Sequence, residues 1–368
     1  MNNLELAQKS LRGLWVGDCL GNIGQMYDVW DILKALDDGL VKLKDNELGE
    51  LEKQFKNKFQ YSDDTEQAIV LLSHLDKNKE INQDILAMDM AKRFMYHNDD
   101  GETMGYGLMT RKVLKDIYDG VPWRVANQTK PRTEGSYFVD KLISQAAQGK
   151  TLNEAMVLVN DDIQKKLKNE SNMKKIGSCG NGSAMRVAPL GAYFDTIKKV
   201  IEMATLQSEV THCHPEAIAG SIAISILAKQ IANIKLELDD LRTPEYFYHK
   251  LLKWIPRGQV WDGVEKASKL PLNTPLPKLI EILGNGTHVT CQDTVPICVF
   301  LTIRALMQYK VEEMYEKVII ETCKCFGDVD TNCAIVGGMI GIISPPPKKW
   351  VRYCQPMEGV LGRNYQRM

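Results

Sequence analysis

Two short acidic clusters contain the residues of this chain whose types and spacing could do chemistry. The first is Ser62-Asp63-Asp64-Thr65, and the second is Gly327-Asp328-Val329-Asp330-Thr331. Each cluster puts two carboxylates and a hydroxyl beside an apolar run that predicts the start of a helix. Carboxylate and hydroxyl oxygens are hard ligands, which suit Mg²⁺, Mn²⁺ or Ca²⁺ better than zinc or copper. If the fold joins the two clusters, they could hold two ions that share one substrate oxygen.

Helix capping is the alternative explanation of both clusters. Asp, Ser and Thr are favoured at N-caps and in first turns, because they accept backbone N–H bonds and face the positive end of the helix dipole. Capping needs only one such side chain, however, and two adjacent acids repel each other. The second acid of each cluster therefore favours the metal interpretation, and the sequence leaves both explanations open.

Three further motifs contain residues that could form part of a site. They are Gly17-Asp18-Cys19-Leu20-Gly21, the glycine-rich segment 177–191, and Thr211-His212-Cys213-His214-Pro215. Taken alone, the glycine-rich segment is typical of an ordinary turn, and the histidine segment is typical of a helix start with proline in its first turn. Asp18 could cap a helix or support the site from behind. Arg186 could pair with a buried acid or with a phosphate.

In this order along the chain, the five motifs resemble the ADP-ribosylglycohydrolase family, which includes the dinitrogenase-reductase-activating glycohydrolase. The segment Leu283-Gly284-Asn285-Gly286, followed by Thr294-Val295-Pro296, is similar to a further segment of that family. The resemblance extends from residue 10 to residue 341. No single motif is specific, whereas five motifs in the family's order are very hard to obtain by chance.

The resemblance implies an all-α fold, a binuclear Mg²⁺ or Mn²⁺ centre, and hydrolysis of the bond between ADP-ribose and a modified protein side chain. Several carboxylates would offset the charge of two divalent ions. Asp63 is also the first candidate for the catalytic residue that positions or deprotonates the attacking water. The metal ligands that the resemblance implies are Ser62, Asp63, Asp64, Asp328, Asp330 and Thr331.

The same resemblance implies that the glycine-rich segment holds the diphosphate and the distal ribose of ADP-ribose. Glycines let backbone N–H groups approach anionic oxygens closely, and a helix start behind them favours negative charge. His212 matches the family histidine that contacts ADP-ribose, whereas His214 is expected to be less directly involved. The predicted substrate contacts in this region are Gly177, Ser178, Cys179, Gly180, Asn181, Gly182, Ser183 and His212.

One position departs from the family pattern. The family usually carries a Glu a few residues after the first motif, near the scissile bond, and the nearest counterpart here is Gln25. Because a Gln can form hydrogen bonds but cannot titrate, Gln25 is predicted as a substrate contact. We expect Asp28, ahead of Asp31, to replace the missing acid as a catalytic residue. The alternatives are a non-catalytic ADP-ribose-binding or crystallin-like protein, and a hydrolase of another ribosyl substrate.

The linkage that is cleaved is predicted by analogy with family members. Arginine N-glycosides, serine O-glycosides and poly(ADP-ribose) are all family substrates. The first acidic cluster and the Thr211-His212-Cys213-His214-Pro215 motif look closer to the arginine-directed members. The resemblance therefore favours mono-ADP-ribosyl-arginine, with an ADP-ribosylated protein and ADP-ribose as partners.

Helical periodicity dominates the elements that must position these residues. Strand-like alternation between turn signals is almost absent, so the periodicity predicts an all-α fold. One site built from both acidic clusters requires the N-terminal and C-terminal parts of the chain to lie next to each other. We therefore expect a single domain over residues 1–368, with 345–368 as a C-terminal tail. The segments with helical spacing are 4–14, 66–75, 84–96, 196–208, 215–234, 277–283, 294–307 and 311–325.

Composition limits the compartment and the partners. The net charge of −1 gives no electrostatic signature of nucleic-acid binding. An odd number of nine scattered cysteines favours a reducing, cytoplasmic environment. The N-terminus lacks a basic region followed by an apolar core, and no apolar run reaches membrane-spanning length, so we expect neither a signal peptide nor a membrane partner.

Overall fold

α-Helices form the framework of this protein, whose computed structural model describes residues 3–24, 59–98, 104–127, 177–234 and 243–357. Within these ranges the chain forms no strand, and only two isolated β-bridges occur. The predicted all-α fold is therefore confirmed. The helices are α1 (Asn3–Gly24), α2 (Asp63–Asn78), α3 (Gln83–Asn98), α4 (Leu108–Tyr118), α5 (Trp123–Ala126), α6 (Ala188–Tyr193), α7 (Ile197–Glu209), α8 (Pro215–Ala232), α9 (Pro244–Trp254), α10 (Gln259–Ser268), α11 (Leu276–Leu283), α12 (Cys291–Gln308), α13 (Val311–Cys323), α14 (Val329–Ile340) and α15 (Lys348–Val351).

Apolar periodicity located most of the long helices. Each of the eight segments with helical spacing falls on one of the helices observed. The helices α4, α9 and α10 were not predicted. In α10 the buried residues Val260, Val264 and Ala267 do follow helical spacing, but Gly263 at the centre lowers the helix propensity of a short segment. Packing of that apolar face therefore decides the conformation.

Helices α1 and α14 pack at very short range, and this packing places the first motif at the site. A Cβ atom on Gly17 would lie 2.2 Å from the carbonyl oxygen of Cys333, and one on Gly21 would lie 2.5 Å from the Cα of Asp330. Any side chain at either position would push the two helices apart. Gly17 and Gly21 are therefore close-packing positions. This packing also brings Asp18 against the acidic start of α14.

The described part of the predicted C-terminal tail packs on the rest of the protein. Trp350 is fully buried and Cys354 is almost so. The backbone N–H of Gln355 donates to the carbonyl of Phe59 at 2.9 Å, and the indole of Trp15 donates to the carbonyl of Gln355 at 2.9 Å. Residues up to 355 thus contribute to the core. The single domain over residues 1–368 stays a prediction.

Candidate active site

The first acidic cluster forms the N-terminus of α2. Ser62 is the N-cap, and its hydroxyl accepts from the backbone N–H of Asp64 at 3.2 Å and lies 2.9 Å from that residue's Oδ2. Ser62 therefore does cap a helix, as the alternative explanation holds. The carboxylates of Asp63 and Asp64 are buried beside it and are not needed for that cap. Capping explains one member of this cluster and leaves the two acids unexplained.

The second acidic cluster forms the N-terminus of α14. Asp328 occupies the N-cap position, but its side chain makes no capping hydrogen bond. It accepts instead from the Asn181 side-chain amide at 2.6 Å. The hydroxyl of Thr331 donates to Asp64 Oδ2 at 3.5 Å, although the two residues are 267 positions apart in sequence. The fold therefore joins the two acidic clusters, and capping does not explain the second one.

Asp18 supports the first cluster from α1. Its carboxylate accepts from the backbone N–H of Ser62 at 2.9 Å, the backbone N–H of Thr65 at 3.1 Å and the Thr65 hydroxyl at 2.6 Å. Oxygen atoms of Asp18, Asp64 and Asp330 also lie within 4.8 Å of one another. Asp18 thus caps the first turn of α2. All three of these hydrogen bonds reach the same oxygen, Oδ2, so that oxygen is already engaged by the start of α2.

The electrostatics of this acidic group fit a hard cation. Burial and the negative charges of Asp330 and Asp18 raise the pKa of Asp63 and Asp64 well above the usual carboxyl range. Burial, reinforced by Asp330, raises the pKa of Asp18 to about 7 and that of Asp328 to about 8. Oδ1 of Asp64 is buried and has no hydrogen-bond partner among the described residues. A divalent ion would offset the repulsion and give that oxygen a partner, so the group can hold a metal.

These residues line a cavity of about 1020 Å³. Such a volume lies at the upper end of the range for small-molecule and cofactor pockets. All six predicted metal ligands border the cavity, together with residues 177–182 and His212. Ser183 does not border it, since this residue is fully buried and its hydroxyl donates to the carbonyl of Ala217 at 3.3 Å. The fold therefore brings most of the predicted residues together around one cavity, with Ser183 behind it.

The glycine-rich segment lies directly beside the second acidic cluster. Gly180 pairs with Thr290 in a β-bridge, and residues Asn181–Ser183 form a short 3₁₀ turn. The Asn181 side-chain amide donates to the hydroxyl of Thr294 at 3.0 Å and to Asp328 at 2.6 Å. A ligand held by the loop would therefore also lie next to the acidic group.

His212 packs against the glycine-rich segment. A Cβ atom on Gly182 would lie 2.7 Å from the imidazole Cε1, so only glycine leaves room for this ring. Burial, with the positive charge of Arg186 as a smaller cause, lowers the pKa of His212 to about 3. The ring is therefore neutral at neutral pH and can donate one hydrogen bond. His214 caps α8 through Nδ1, and Pro215 follows it in the first turn, as the sequence predicted.

Several residues that line the cavity were not predicted from sequence. They come from α1, the start of α4, the glycine-rich segment and several loops, and proximity in the fold is what identifies them. Met104, which has a positive φ of 46°, accepts a backbone hydrogen bond from Asp63 at 2.6 Å. Gln25 and Asp28 lie outside the described residues. The additional lining residues include Asn22, Gln60, Tyr61, Met104, Gly105, Gly107, Leu108, Met109, Thr110, Met185, His288, Val289 and Thr290.

An all-α fold that closes two acidic clusters and a glycine-rich loop around one cavity defines a class of hydrolase. The chain belongs to the ADP-ribosylglycohydrolase family, whose model matches residues 2–364. It is therefore an enzyme that hydrolyses glycosidic bonds of ADP-ribosyl groups, and its substrate is a molecule modified with ADP-ribose. Among the helices described, none has the length and apolar character needed to span a membrane.

Individual relatives agree with this assignment. ADP-ribosylhydrolase ARH3 of Mus musculus is 21% identical over 385 residues, covering 97% of this chain and 90% of that protein. ADP-ribosylhydrolase ARH3 of Homo sapiens is 22% identical over 385 residues, covering 97% and 92%. A solved structure, an ADP-ribosylglycohydrolase-related protein complex, superposes with a TM-score of 0.53 at 16% identity over 96% of this chain and 93% of that one. The structural similarity confirms the predicted fold.

Proposed function

We propose that the protein binds two Mg²⁺ or Mn²⁺ ions and removes ADP-ribose from modified arginine side chains. The observation that carries the metal part is the buried acidic group, in which Asp64 Oδ1 has no hydrogen-bond partner among the described residues. Buried carboxylates that repel one another are stabilised in their charged form by a bound cation. The arginine linkage rests on the similarity of the first acidic cluster and the 211–215 motif to arginine-directed family members.

The proposed metal ligands come from the starts of two helices. When bound, such ions supply charge that orients the distal ribose hydroxyls and polarises a water molecule. The donor set consists of carboxylate and hydroxyl oxygens, which is the chemistry that Mg²⁺ and Mn²⁺ prefer. The proposed ligands are Ser62, Asp63 and Asp64 from α2, and Asp328, Asp330 and Thr331 from α14.

Asp63 is the proposed catalytic carboxylate. Its Oδ2 accepts from the side-chain amide of Gln67 at 2.8 Å, and its backbone N–H is tied to Met104. A carboxylate held in this way beside the cavity can orient an attacking water and accept its proton. Glycoside hydrolysis passes through an oxocarbenium-like transition state, so the leaving group also needs help. We assign that help to Asp28 and a substrate contact to Gln25, both outside the described residues.

The glycine-rich segment and His212 form the proposed site for the diphosphate and distal ribose. Glycines at 177, 180 and 182 keep side chains away from the backbone N–H groups that would donate to phosphate oxygens. The neutral imidazole can donate one further hydrogen bond. The link from Asn181 to Asp328 supports a ligand that spans the loop and the acidic group.

Turnover of defined substrates tests this proposal. We expect release of ADP-ribose from arginine-modified protein that depends on Mg²⁺ or Mn²⁺ and stops with EDTA. Asp63→Ala should lower turnover by at least about 100-fold, as loss of a general base does. Asp28→Asn should lower it clearly, whereas Gln25→Glu should change it little. Asp76→Ala, an exposed acid at the far end of α2, is the matched control and should keep wild-type turnover.

The other outcomes separate the alternatives. Faster release from serine-modified protein would refute the arginine linkage and keep the hydrolase. ADP-ribose binding without turnover of any modified protein would favour the non-catalytic binding protein. Release from free nucleotides alone would favour another ribosyl substrate. Wild-type turnover of Asp63→Ala, or of the EDTA-treated enzyme, would refute the proposed centre.

We also propose that the protein works in a reducing, cytoplasmic environment. All nine cysteines are free thiols, including Cys323 and Cys333, whose Sγ atoms lie 3.5 Å apart without forming a disulfide. Such proximity favours disulfide formation where the environment is oxidising. Mass spectrometry of thiols alkylated in cells would test this, and a substantial disulfide population would contradict it.

A further inference from the structure

A buried guanidinium lies behind the site, at the centre of a polar network. Arg186 is fully buried and donates through Nε to Gln207 Oε1 at 2.7 Å and through Nη1 to Gln67 Oε1. Its Nη2 donates to the Gln207 carbonyl at 2.9 Å and to the Thr211 hydroxyl at 3.0 Å. All these acceptors are neutral, and no carboxylate in the described ranges forms an ion pair with Arg186. Burying a charge without a counter-charge is costly, which points to a role beyond packing.

Arg186 fixes the orientation of Asp63 through Gln67. A guanidinium can only donate hydrogen bonds, so the amide of Gln67 must turn its oxygen towards Arg186. The amide Nε2 then faces Asp63 and donates to Oδ2 at 2.8 Å. Asp63 and Gln67 are four residues apart on α2, one turn of the helix. The rotamer of the proposed catalytic carboxylate therefore depends on the guanidinium.

Arg186 also determines which nitrogen of His212 carries the proton. The Thr211 hydroxyl accepts from Arg186, which leaves its own hydrogen free for His212 Nδ1 at 2.8 Å. Nδ1 is then an acceptor, so the single proton of the neutral ring is on Nε2. A Cβ atom on Gly180 or Gly182 would lie 3.4 or 2.8 Å from Nε2. The donating nitrogen therefore faces the glycine-rich loop.

A third branch of the network holds the end of that loop. Because Gln207 Oε1 accepts from Arg186, its Nε2 is free to donate. It donates to the carbonyl of Ser183 at 3.2 Å, at the last residue of the 3₁₀ turn. Three parts of the site thus take their orientation from one donor-only group.

We propose that Arg186 is a positioning residue that orients Asp63, fixes the Nε2–H tautomer of His212, and anchors the glycine-rich loop. This inference rests on the proposed function, since it assigns the network a role in turnover and in ADP-ribose binding. Loss of the Gln67 branch should lower turnover, and loss of the Thr211 branch should weaken ADP-ribose binding. Loss of Arg186 should change both turnover and ADP-ribose binding. A residue that only fills the core would lower stability without separating kcat from ligand affinity.

Single-branch variants provide the kinetic test. Gln67→Glu keeps an acceptor for Arg186 but removes the donor to Asp63, so kcat should fall about 10- to 100-fold while the Kd of ADP-ribose is unchanged. Thr211→Val should weaken ADP-ribose binding about fivefold to tenfold, and Thr211→Ser should restore it. Arg186→Lys should show both losses. If Arg186→Lys fails to fold, the two single-branch variants still decide the matter.

Nitrogen-15 NMR of histidine-labelled protein provides a signature that packing alone would not change. The chain has six histidines, and His212→Gln assigns the signal of interest. We expect an Nε2–H tautomer in the wild type and a tautomer mixture in Thr211→Val. Arg304→Lys is the matched control, because Arg304 is a buried arginine that contacts Glu321 and Thr274 away from the site. It should change the melting temperature without changing kcat, ADP-ribose affinity or the tautomer.

Three results would overturn the inference. They are an Nδ1–H tautomer in the wild type, wild-type ADP-ribose affinity in Thr211→Val, and wild-type kcat in Gln67→Glu. Failure of the proposed function looks different, since the wild-type enzyme would then neither bind ADP-ribose nor release it. The tautomer measurement does not depend on turnover and would still test the network in that case.

Discussion

Replacing Gly182 by alanine perturbs the contact between the glycine-rich loop and His212. The φ of Gly182 lies outside the left-handed region, so alanine can adopt the same backbone conformation. The new Cβ would lie 2.7 Å from the imidazole Cε1 and 2.8 Å from Nε2, whereas ordinary contacts begin at 3.4 Å. The ring or the loop must therefore move by about 0.7 Å. Losing one ligand hydrogen bond at a buried donor costs about 1–3 kcal/mol, or about 5- to 150-fold in the Kd of ADP-ribose.

Titration calorimetry with ADP-ribose measures this effect directly. Gly107→Ala is the matched control, because Gly107 borders the same cavity and a Cβ atom there would have no neighbour within 4 Å. We expect Gly107→Ala to bind like the wild type and Gly182→Ala to bind more weakly, with both free proteins still folded in thermal melts. Wild-type affinity in Gly182→Ala would refute the placement of ADP-ribose against the loop and His212.

Three further predictions concern the acidic group and its support. Asp64→Asn should abolish the rise in melting temperature with Mg²⁺ and lower turnover by at least about 100-fold. Without metal, the variant should melt no lower than the wild type, because one repelling charge is gone. A retained Mg²⁺ effect in thermal melts would contradict this prediction. Metal-free wild type should lose stability as the pH rises from about 6.5 to 8, because Asp18 and Asp328, with pKa values of about 7 and 8 in the folded state, hold protons that the unfolded chain has already released. His212, with a lowered pKa of about 3, has the opposite effect on stability, but only below its unfolded pKa of about 6.5. Thermal melts between about pH 6.5 and 8 therefore report on the carboxylates. Saturating Mg²⁺ should remove this dependence of stability on pH. Gly17→Ala should lower the free energy of unfolding by about 1–3 kcal/mol, since its Cβ would lie 2.2 Å from the Cys333 carbonyl oxygen. Urea denaturation measures this change. A free energy of unfolding equal to that of Gly107→Ala would refute the prediction.

The sequence was sufficient for the fold class and for most of the long helices. Apolar residues at helical spacing reflect burial of one helix face, and that pattern is local, so segments such as 215–234 and 294–307 could be read directly. The residue types of the acidic clusters likewise indicated hard-metal chemistry. The sequence pattern was not sufficient to predict α10, because Gly263 interrupts a short apolar face. Packing of that face against the rest of the protein stabilises the helix.

The distances that make a site were decided only by the tertiary structure. Asp64 and Thr331 meet across 267 positions because glycines on α1 let α14 approach closely enough to place Asp330 beside Asp18. The partners of Arg186 could not be read from its neighbours in sequence, since Gln67 comes from α2 and Gln207 from α7. Ser183 shows the converse, because a residue inside the glycine-rich motif turns towards the Ala217 carbonyl and away from the cavity. Residue types thus determined which chemistry was available, and long-range packing determined which of those groups could act together.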